Sequence, residues 1–167
     1  AVLLAMLKLR AGIPIATVMA EKIPTAMCKP ETAAALRLAL AGGTPRWTLP
    51  SVANIAPGEI LHGRAVACNL SILVSLCGTP FLPDFRNRIL IVEDVDEPVR
   101  KLDRSLTQLM LAGVLSRIRA LVFASLTDCG EFETQLAMMR KFAALSGKPV
   151  LRGLPFGHEF PTHAVPC

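Results

Sequence analysis

The sequence lacks what several classes of protein need. It has no tyrosine, a single tryptophan and no block of lysines or arginines, so neither a stacking surface nor a basic stripe for nucleic acid is present. Its longest apolar stretches are strand-length, far short of the ~20 residues that a membrane-spanning helix requires. Hydrophobic residues make up 52% of the chain and charged residues only 19%, which excludes intrinsic disorder. We expect a globular chain that binds neither nucleic acid nor membrane.

The cysteines do not form a recognisable framework. They are odd in number, and none belongs to a Cys-x-x-Cys pair or clusters with histidine as a zinc site requires. We interpret them as reduced and mostly buried thiols of a cytoplasmic protein. They are Cys28, Cys68, Cys77, Cys129 and Cys167.

The first residues do not resemble a signal peptide. The apolar stretch 1–9 is interrupted by Lys8 and has neither a basic start nor a small-residue cleavage site. The chain starts at Ala1, without a methionine, inside a stretch that is predicted to be helical. We therefore expect this sequence to be a piece of a longer protein.

Strand-like runs alternate with helical stretches of about a dozen residues. This alternation predicts an α/β fold with a largely parallel sheet and flanking helices. Predicted strands span residues 13–18, 60–67, 88–92, 117–124 and 149–151, and predicted helices begin at Ala1, Pro30, Asn69, Pro98 and Glu131. Between them, the proline-rich segment Thr44–Gly58 is interpreted as a linker that Trp47 fastens to a core.

One predicted strand leads directly into four carboxylates, at Glu93, Asp94, Asp96 and Glu97. Functional groups of open α/β sheets gather beyond the carboxyl ends of strands. Three interpretations remain open from the residues alone: an acidic helix start, acid/base or orienting chemistry, and a magnesium site. The helix start does not explain Glu93, which follows the apolar run and should be partly buried.

A second strand is followed by the pair Gly157-His158. A lone histidine is more often structural than catalytic, but a glycine before it allows a tight turn that aims the imidazole into a cleft. A carboxylate that orients a histidine forms two thirds of a Ser-His-acid triad. The nucleophile is missing, since no serine lies on a Gly-x-Ser-x-Gly turn.

Several stretches together resemble the LD-carboxypeptidase family, the serine peptidases that include murein tetrapeptide carboxypeptidases and microcin C self-immunity peptidases. Five blocks occur in one order over about a hundred residues, and their combination is specific. They are Cys68-Asn69-Leu70-Ser71, Gly78-Thr79-Pro80, Ile91-Val92-Glu93-Asp94 with Glu97, Leu102–Leu109 with Ala112-Gly113, and Leu154-Pro155-Phe156-Gly157-His158.

The resemblance implies a Ser-Glu-His triad spread over two domains, with Glu93 and His158 as two of its members. It places the nucleophilic serine a few residues before Ala1, so this piece alone is expected to be inactive. It divides the chain into residues 1–43, the end of the nucleophile-bearing domain, a linker at 44–58, and a C-terminal domain at 59–167 that is truncated at its end.

The implied reaction is hydrolysis of the amide to a terminal D-alanine of a murein tetrapeptide, in a cytoplasmic homodimer without metal or cofactor. Asn69, Arg100 and Arg104 are weaker candidates for binding the substrate, and the two arginines could equally form surface ion pairs. One departure from the family is Ala67-Cys68, where Gly-Gly is usual. If the backbone had a positive φ here, alanine and cysteine would be strained where glycine is not.

Two rival functions remain. The first is a microcin-immunity-type amidase with the same triad, for which the sequence offers no clear aromatic nucleobase-stacking loop. The second is a non-catalytic binding module that keeps the fold without a nucleophile.

Overall fold

The computed structural model describes residues 16–17, 29–159 and 161–166. Its strands are β1 (Ala16–Thr17), β2 (Ser51–Ala53), β3 (Ala65–Asn69), β4 (Ile89–Val95), β5 (Ala120–Thr127), β6 (Val150–Arg152) and β7 (Val165–Pro166). Its helices are α1 (Pro30–Leu40), α2 (Leu70–Ser75), α3 (Val99–Leu111), α4 (Val114–Arg117) and α5 (Phe132–Ser146). Within these residues, none of the helices is long and apolar enough to cross a membrane.

Five strands form one sheet in the order β2-β6-β5-β4-β3. The strands β3, β4, β5 and β6 run parallel, and only β2 at the edge is antiparallel to its neighbour. The predicted α/β fold with a largely parallel sheet is therefore confirmed. A separate two-stranded sheet pairs β1 with β7.

Each face of the five-stranded sheet buries its own apolar cluster, because successive strand residues point to opposite sides. On the first face, Val92 and Phe123 pack with residues of α2, α3, α4 and α5. On the second face, Ile91 and Val122 pack with Phe156, Val165 and partly buried residues such as Trp47. Helices thus cover one face, and the segment that carries the Gly-His pair covers the other.

The predicted elements differ from the observed ones mainly at their ends. The strand predicted at 60–67 runs instead from Ala65 to Asn69, and residues 51–53 of the predicted linker form β2, which pairs with β6. Trp47 packs against the second cluster, as predicted. The helix predicted from Ala1 lies outside the described residues.

The Ala67-Cys68 departure causes no backbone strain. Both residues lie within β3, and neither is among the described residues with a positive φ. The small side chains of both residues are buried, and their backbone is that of an ordinary strand, which tolerates a Cβ. The next residue, Asn69, has an ordinary extended conformation (φ −66°, ψ 134°) and caps α2, as predicted.

Candidate active site

The parallel strands bring the predicted site residues to one edge of the sheet. Asn69 at the end of β3 lies in register with Glu93 near the end of β4. The chain leaves β6 at the same edge and turns through Gly153 to reach His158. The carboxyl edge of a parallel sheet is where ligands of α/β proteins bind.

Glu93 and His158 contact each other directly, although they lie 65 positions apart in the chain. His158 Nδ1 is 2.8 Å from Glu93 Oε2. The Glu93 side chain is fully buried, whereas 22% of the His158 side chain is exposed. The two residues therefore form a dyad with a buried carboxylate and an accessible imidazole.

The dyad fixes the imidazole tautomer when Glu93 is ionised. A carboxylate can only accept hydrogen bonds, so Nδ1 must carry the proton that it donates. The lone pair of a neutral imidazole then lies on Nε2, the nitrogen turned away from the carboxylate. A histidine held in this way is equipped to act as a general base.

Burial raises the pKa of Glu93 above that of an ordinary glutamate, because a charged carboxylate is poorly solvated there. The contact with His158 opposes this effect, and so does the nearby Asn69 amide. Oε1 of Glu93 is buried, and no donor among the described residues lies in hydrogen-bonding geometry to it. The carboxylate is thus held at an energetic disadvantage, as expected at a functional site.

The turn before His158 requires a glycine at 157. Gly157 has φ +130°, a value that residues with a side chain rarely adopt. A Cβ built there would fall on Ser125 Oγ and come within 3.2 Å of Glu93 Oε2. Only glycine lets the backbone approach the buried carboxylate so closely, and this approach brings His158 within reach.

Asp94 has a different role from its neighbour. It is 2% exposed, and Oδ1 accepts hydrogen bonds from Asn69 Nδ2 at 2.9 Å and from the Val95 backbone N–H at 3.0 Å. Its Oδ2 accepts from the Ser71 backbone N–H and hydroxyl at 3.0 and 2.8 Å. Asp94 therefore fastens the end of β4 to the start of α2.

Asn69 belongs to the same network. Its Oδ1 accepts a hydrogen bond from the Ile72 N–H, which caps α2, while its Nδ2 donates to Asp94. Both ends of the amide thus have partners inside the fold, and the side chain organises the edge where the dyad lies.

The remaining candidates lie on the surface. Arg100 and Arg104 are exposed on α3, and within the described part of the chain neither forms an ion pair. Glu97 pairs instead with Lys101 at 2.9 Å. No group of three histidine, cysteine or acidic side chains that could hold a metal ion exists among residues 29–159 and 161–166.

Sequence analysis missed two hydroxyl residues beside the dyad. Ser125 Oγ donates to the Phe156 carbonyl at 3.0 Å, and Thr162 Oγ1 accepts from the Gly157 N–H at 3.3 Å. Ser125 follows an apolar strand run, as Glu93 does, which was the available signal. Nothing in the sequence marks Thr162.

Comparisons with known proteins identify the family of the chain. The model of the LD-carboxypeptidase C-terminal domain matches residues 62–167, and the chain therefore belongs to the LD-carboxypeptidase family. A probable murein peptide carboxypeptidase of Bacillus subtilis (strain 168) is 32% identical over 123 residues, covering 71% of this chain and 38% of that relative.

Two solved structures are similar in fold. The muramoyltetrapeptide carboxypeptidase from Oxalobacter formigenes has a TM-score of 0.58 and 32% identity, over 62% of this chain and 38% of that one. The microcin C7 self-immunity protein MccF has a TM-score of 0.73 and 22% identity, over 99% of this chain and 59% of that one. The chain thus spans well under half the length of the carboxypeptidases that it matches.

Proposed function

We propose that this chain contributes the glutamate and histidine of a serine-type LD-carboxypeptidase. In this proposal the whole protein hydrolyses the amide to the terminal D-alanine of a murein tetrapeptide. Its nucleophile is the serine that the family resemblance expects before Ala1. The observation that carries the proposal is the 2.8 Å contact between His158 Nδ1 and the fully buried Glu93 Oε2.

The proposed mechanism assigns a role to each member of the dyad. His158 takes the proton of the serine hydroxyl through Nε2 as the serine attacks the amide carbonyl, and later donates that proton to the leaving amine. Glu93 holds Nδ1–H in place and stabilises the imidazolium that forms meanwhile. Water then attacks the acyl-enzyme with the same assistance, and this step regenerates the serine.

Three other residues have supporting places in the proposal. Asn69 shapes the edge of the sheet through its contacts with α2 and Asp94. The exposed Arg100 and Arg104 offer positive charge toward an anionic peptide.

The first test is to determine the codons that precede Ala1 in the source gene. An open frame that encodes a Gly-x-Ser-Asp turn supports the proposal, and the longer protein is then assayed for release of D-alanine from a murein tetrapeptide. We expect His158→Ala and Glu93→Ala to reduce kcat by a factor of 10³ or more, as losses of triad members do. The exposed His62 provides the matched control, since His62→Ala should retain full activity.

The same assay separates the rival functions. Loss of activity in His158→Ala but not in His62→Ala supports the dyad, whereas full activity in His158→Ala would refute it. Hydrolysis of an aminoacyl sulfamoyl nucleoside in preference to the tetrapeptide would favour an amidase like MccF, which has been crystallised with glutamyl sulfamoyl guanosine. A gene without the serine turn would favour a binding module.

A further inference from the structure

The peptide group between Phe156 and Gly157, one residue before His158, is held by hydrogen bonds at both its carbonyl and its N–H. Its carbonyl, Phe156 O, accepts hydrogen bonds from the Ser125 backbone N–H at 3.1 Å and from Ser125 Oγ at 3.0 Å. Its N–H, that of Gly157, donates to Thr162 Oγ1 at 3.3 Å. Two hydroxyl side chains from different parts of the chain therefore form hydrogen bonds with the same peptide group.

The orientation of this plane determines where His158 points. Rotation of the plane changes φ of Gly157, and glycine alone has no side chain to oppose such a rotation. Gly157 has φ +130°, which is one of many values open to a glycine, so the surrounding structure must select it. Without contacts that fix the Phe156–Gly157 peptide, the flexible Gly157 could also turn His158 away from Glu93.

The restraint is anchored in the interior. Thr162 is fully buried, and its own N–H donates to Thr32 Oγ1 of α1 at 3.3 Å. Thr32 is 1% exposed. Hydrogen bonds in such a dry environment have no competing water, and leaving their partners unsatisfied is costly.

We propose that Ser125 and Thr162 are positioning residues, which fix the Phe156–Gly157 peptide so that His158 Nδ1 meets Glu93. The inference rests on the proposed function, because it assigns these hydroxyls to the orientation of the proposed base. We do not assign Ser125 as the nucleophile, since its hydroxyl donates to the Phe156 backbone carbonyl, which cannot act as a general base. Neither residue contacts the reacting atoms, and both act through His158.

The test uses the 167-residue chain and needs no catalytic activity. The Nδ1–H proton of His158 is observed by NMR in ¹⁵N-histidine-labelled protein, and its exchange with water is measured. In the double variant Ser125→Ala/Thr162→Val, we expect this proton to exchange at least tenfold faster, because the imidazole no longer stays on the carboxylate. The variant Ser125→Ala/Thr162→Ser keeps the hydroxyl at 162 alone, and its exchange rate should lie between those of the double variant and the unmodified chain.

A matched control is available at the same edge of the sheet. Thr127 Oγ1 is buried without a hydrogen-bond partner among the described residues, so Thr127→Val removes a comparable hydroxyl that holds no peptide. We expect its His158 signal to match that of the unmodified chain. If the double variant fails to fold, the exchange rates of Ser125→Ala and Thr162→Val are each compared with that of Thr127→Val.

The outcomes also separate this inference from the proposed function. Unchanged exchange in folded Ser125→Ala/Thr162→Val, with a clear change in Glu93→Ala, would overturn the positioning role and leave the dyad intact. An unchanged signal in Glu93→Ala, which removes the acceptor of Nδ1–H, would instead refute the dyad itself. Equal effects of Thr127→Val and the double variant would also overturn the positioning role.

Discussion

Glu93 and Asp94 are neighbours on β4, both have buried side chains, and yet their surroundings differ completely. Asp94 accepts four hydrogen bonds, two on each oxygen, on the face where the helices pack. Glu93 faces the other side of the sheet, where Oε2 meets His158 and Oε1 is buried without a partner in the described part of the chain. One strand therefore delivers a satisfied and an unsatisfied carboxylate to opposite faces.

This difference has a physical consequence for stability. A buried carboxylate whose oxygens are all occupied by donors stabilises the fold, because its charge is well solvated by the protein. A buried carboxylate with an unoccupied oxygen weakens the fold, and it persists only when something other than stability requires it. Hydrogen-bond satisfaction thus distinguishes the two residues where burial does not.

The largest effect on stability is expected at Asp94. Asp94→Ala leaves the Ser71 N–H, the Ser71 hydroxyl and the Asn69 amide, all partly buried, without their acceptor. An unsatisfied buried group costs ~1–3 kcal/mol, so each of these three contributes toward the low end of that range. We expect the free energy of unfolding to fall by roughly 3 kcal/mol or more, measured by urea denaturation. Asp94→Asn, which keeps one acceptor oxygen, should lose about half as much.

If Asp94→Ala proves nearly neutral, its three hydrogen bonds with Asn69 and Ser71 do not hold α2 to β4. The distinction between the two carboxylates would then fail.

The opposite sign is expected at Glu93. Because burial raises its pKa in the folded state, the folded protein binds a proton more tightly than the unfolded chain does. Stability therefore falls as the pH rises from the ordinary carboxyl pKa, about 4.3, through the raised value, and it levels off above that value. Glu93→Gln should abolish this decline and be more stable by roughly 0.5–2 kcal/mol at neutral pH.

The measurement is urea denaturation of both proteins at several pH values. The exposed Glu133 serves as the control, since Glu133→Gln should leave the pH dependence of stability unchanged. A loss of stability in Glu93→Gln that is equal at every pH would mean that the carboxylate supports the fold as Asp94 does.

The same two carboxylates show how far the sequence alone can lead. The apolar run that ends at Glu93 predicted a buried strand, and the Gly157-His158 pair predicted a turn at a strand end. These local patterns, ordered in five blocks, were enough to identify the fold and the family. The contact between Glu93 and His158 was expected only from the family resemblance, because no local pattern specifies a pair 65 positions apart.

What the sequence could not predict depends on long-range packing. Ser125 and Thr162 acquire their contacts only when β5 and the segment after His158 come together around one peptide group. The sequence predicts a linker at Ser51–Ala53, because Pro50 precedes it. The structure has the short strand β2 there, since these residues pair with the distant β6. Likewise, nothing local in Glu93-Asp94 reveals which carboxylate faces the helices.

The smallest effect is expected at a third carboxylate of the same segment, Glu97. Its buried Oε2 is 2.9 Å from Lys101 Nζ, an ion pair without hydrogen-bond geometry among the described residues. The Lys101 side chain is 48% exposed, so water and salt screen the attraction. Lys101→Ala should lower the free energy of unfolding by less than ~1 kcal/mol, and added salt should reduce this loss. The comparison variant is Lys141→Ala, whose lysine is equally exposed and joins α5 to Asp103 of α3 at 2.7 Å. Lys101→Ala could instead lower the free energy of unfolding nearly as much as Asp94→Ala does. Glu97 would then also hold the end of β4 in place, and the distinction between carboxylates with and without hydrogen-bond partners would apply to Glu93 and Asp94 only.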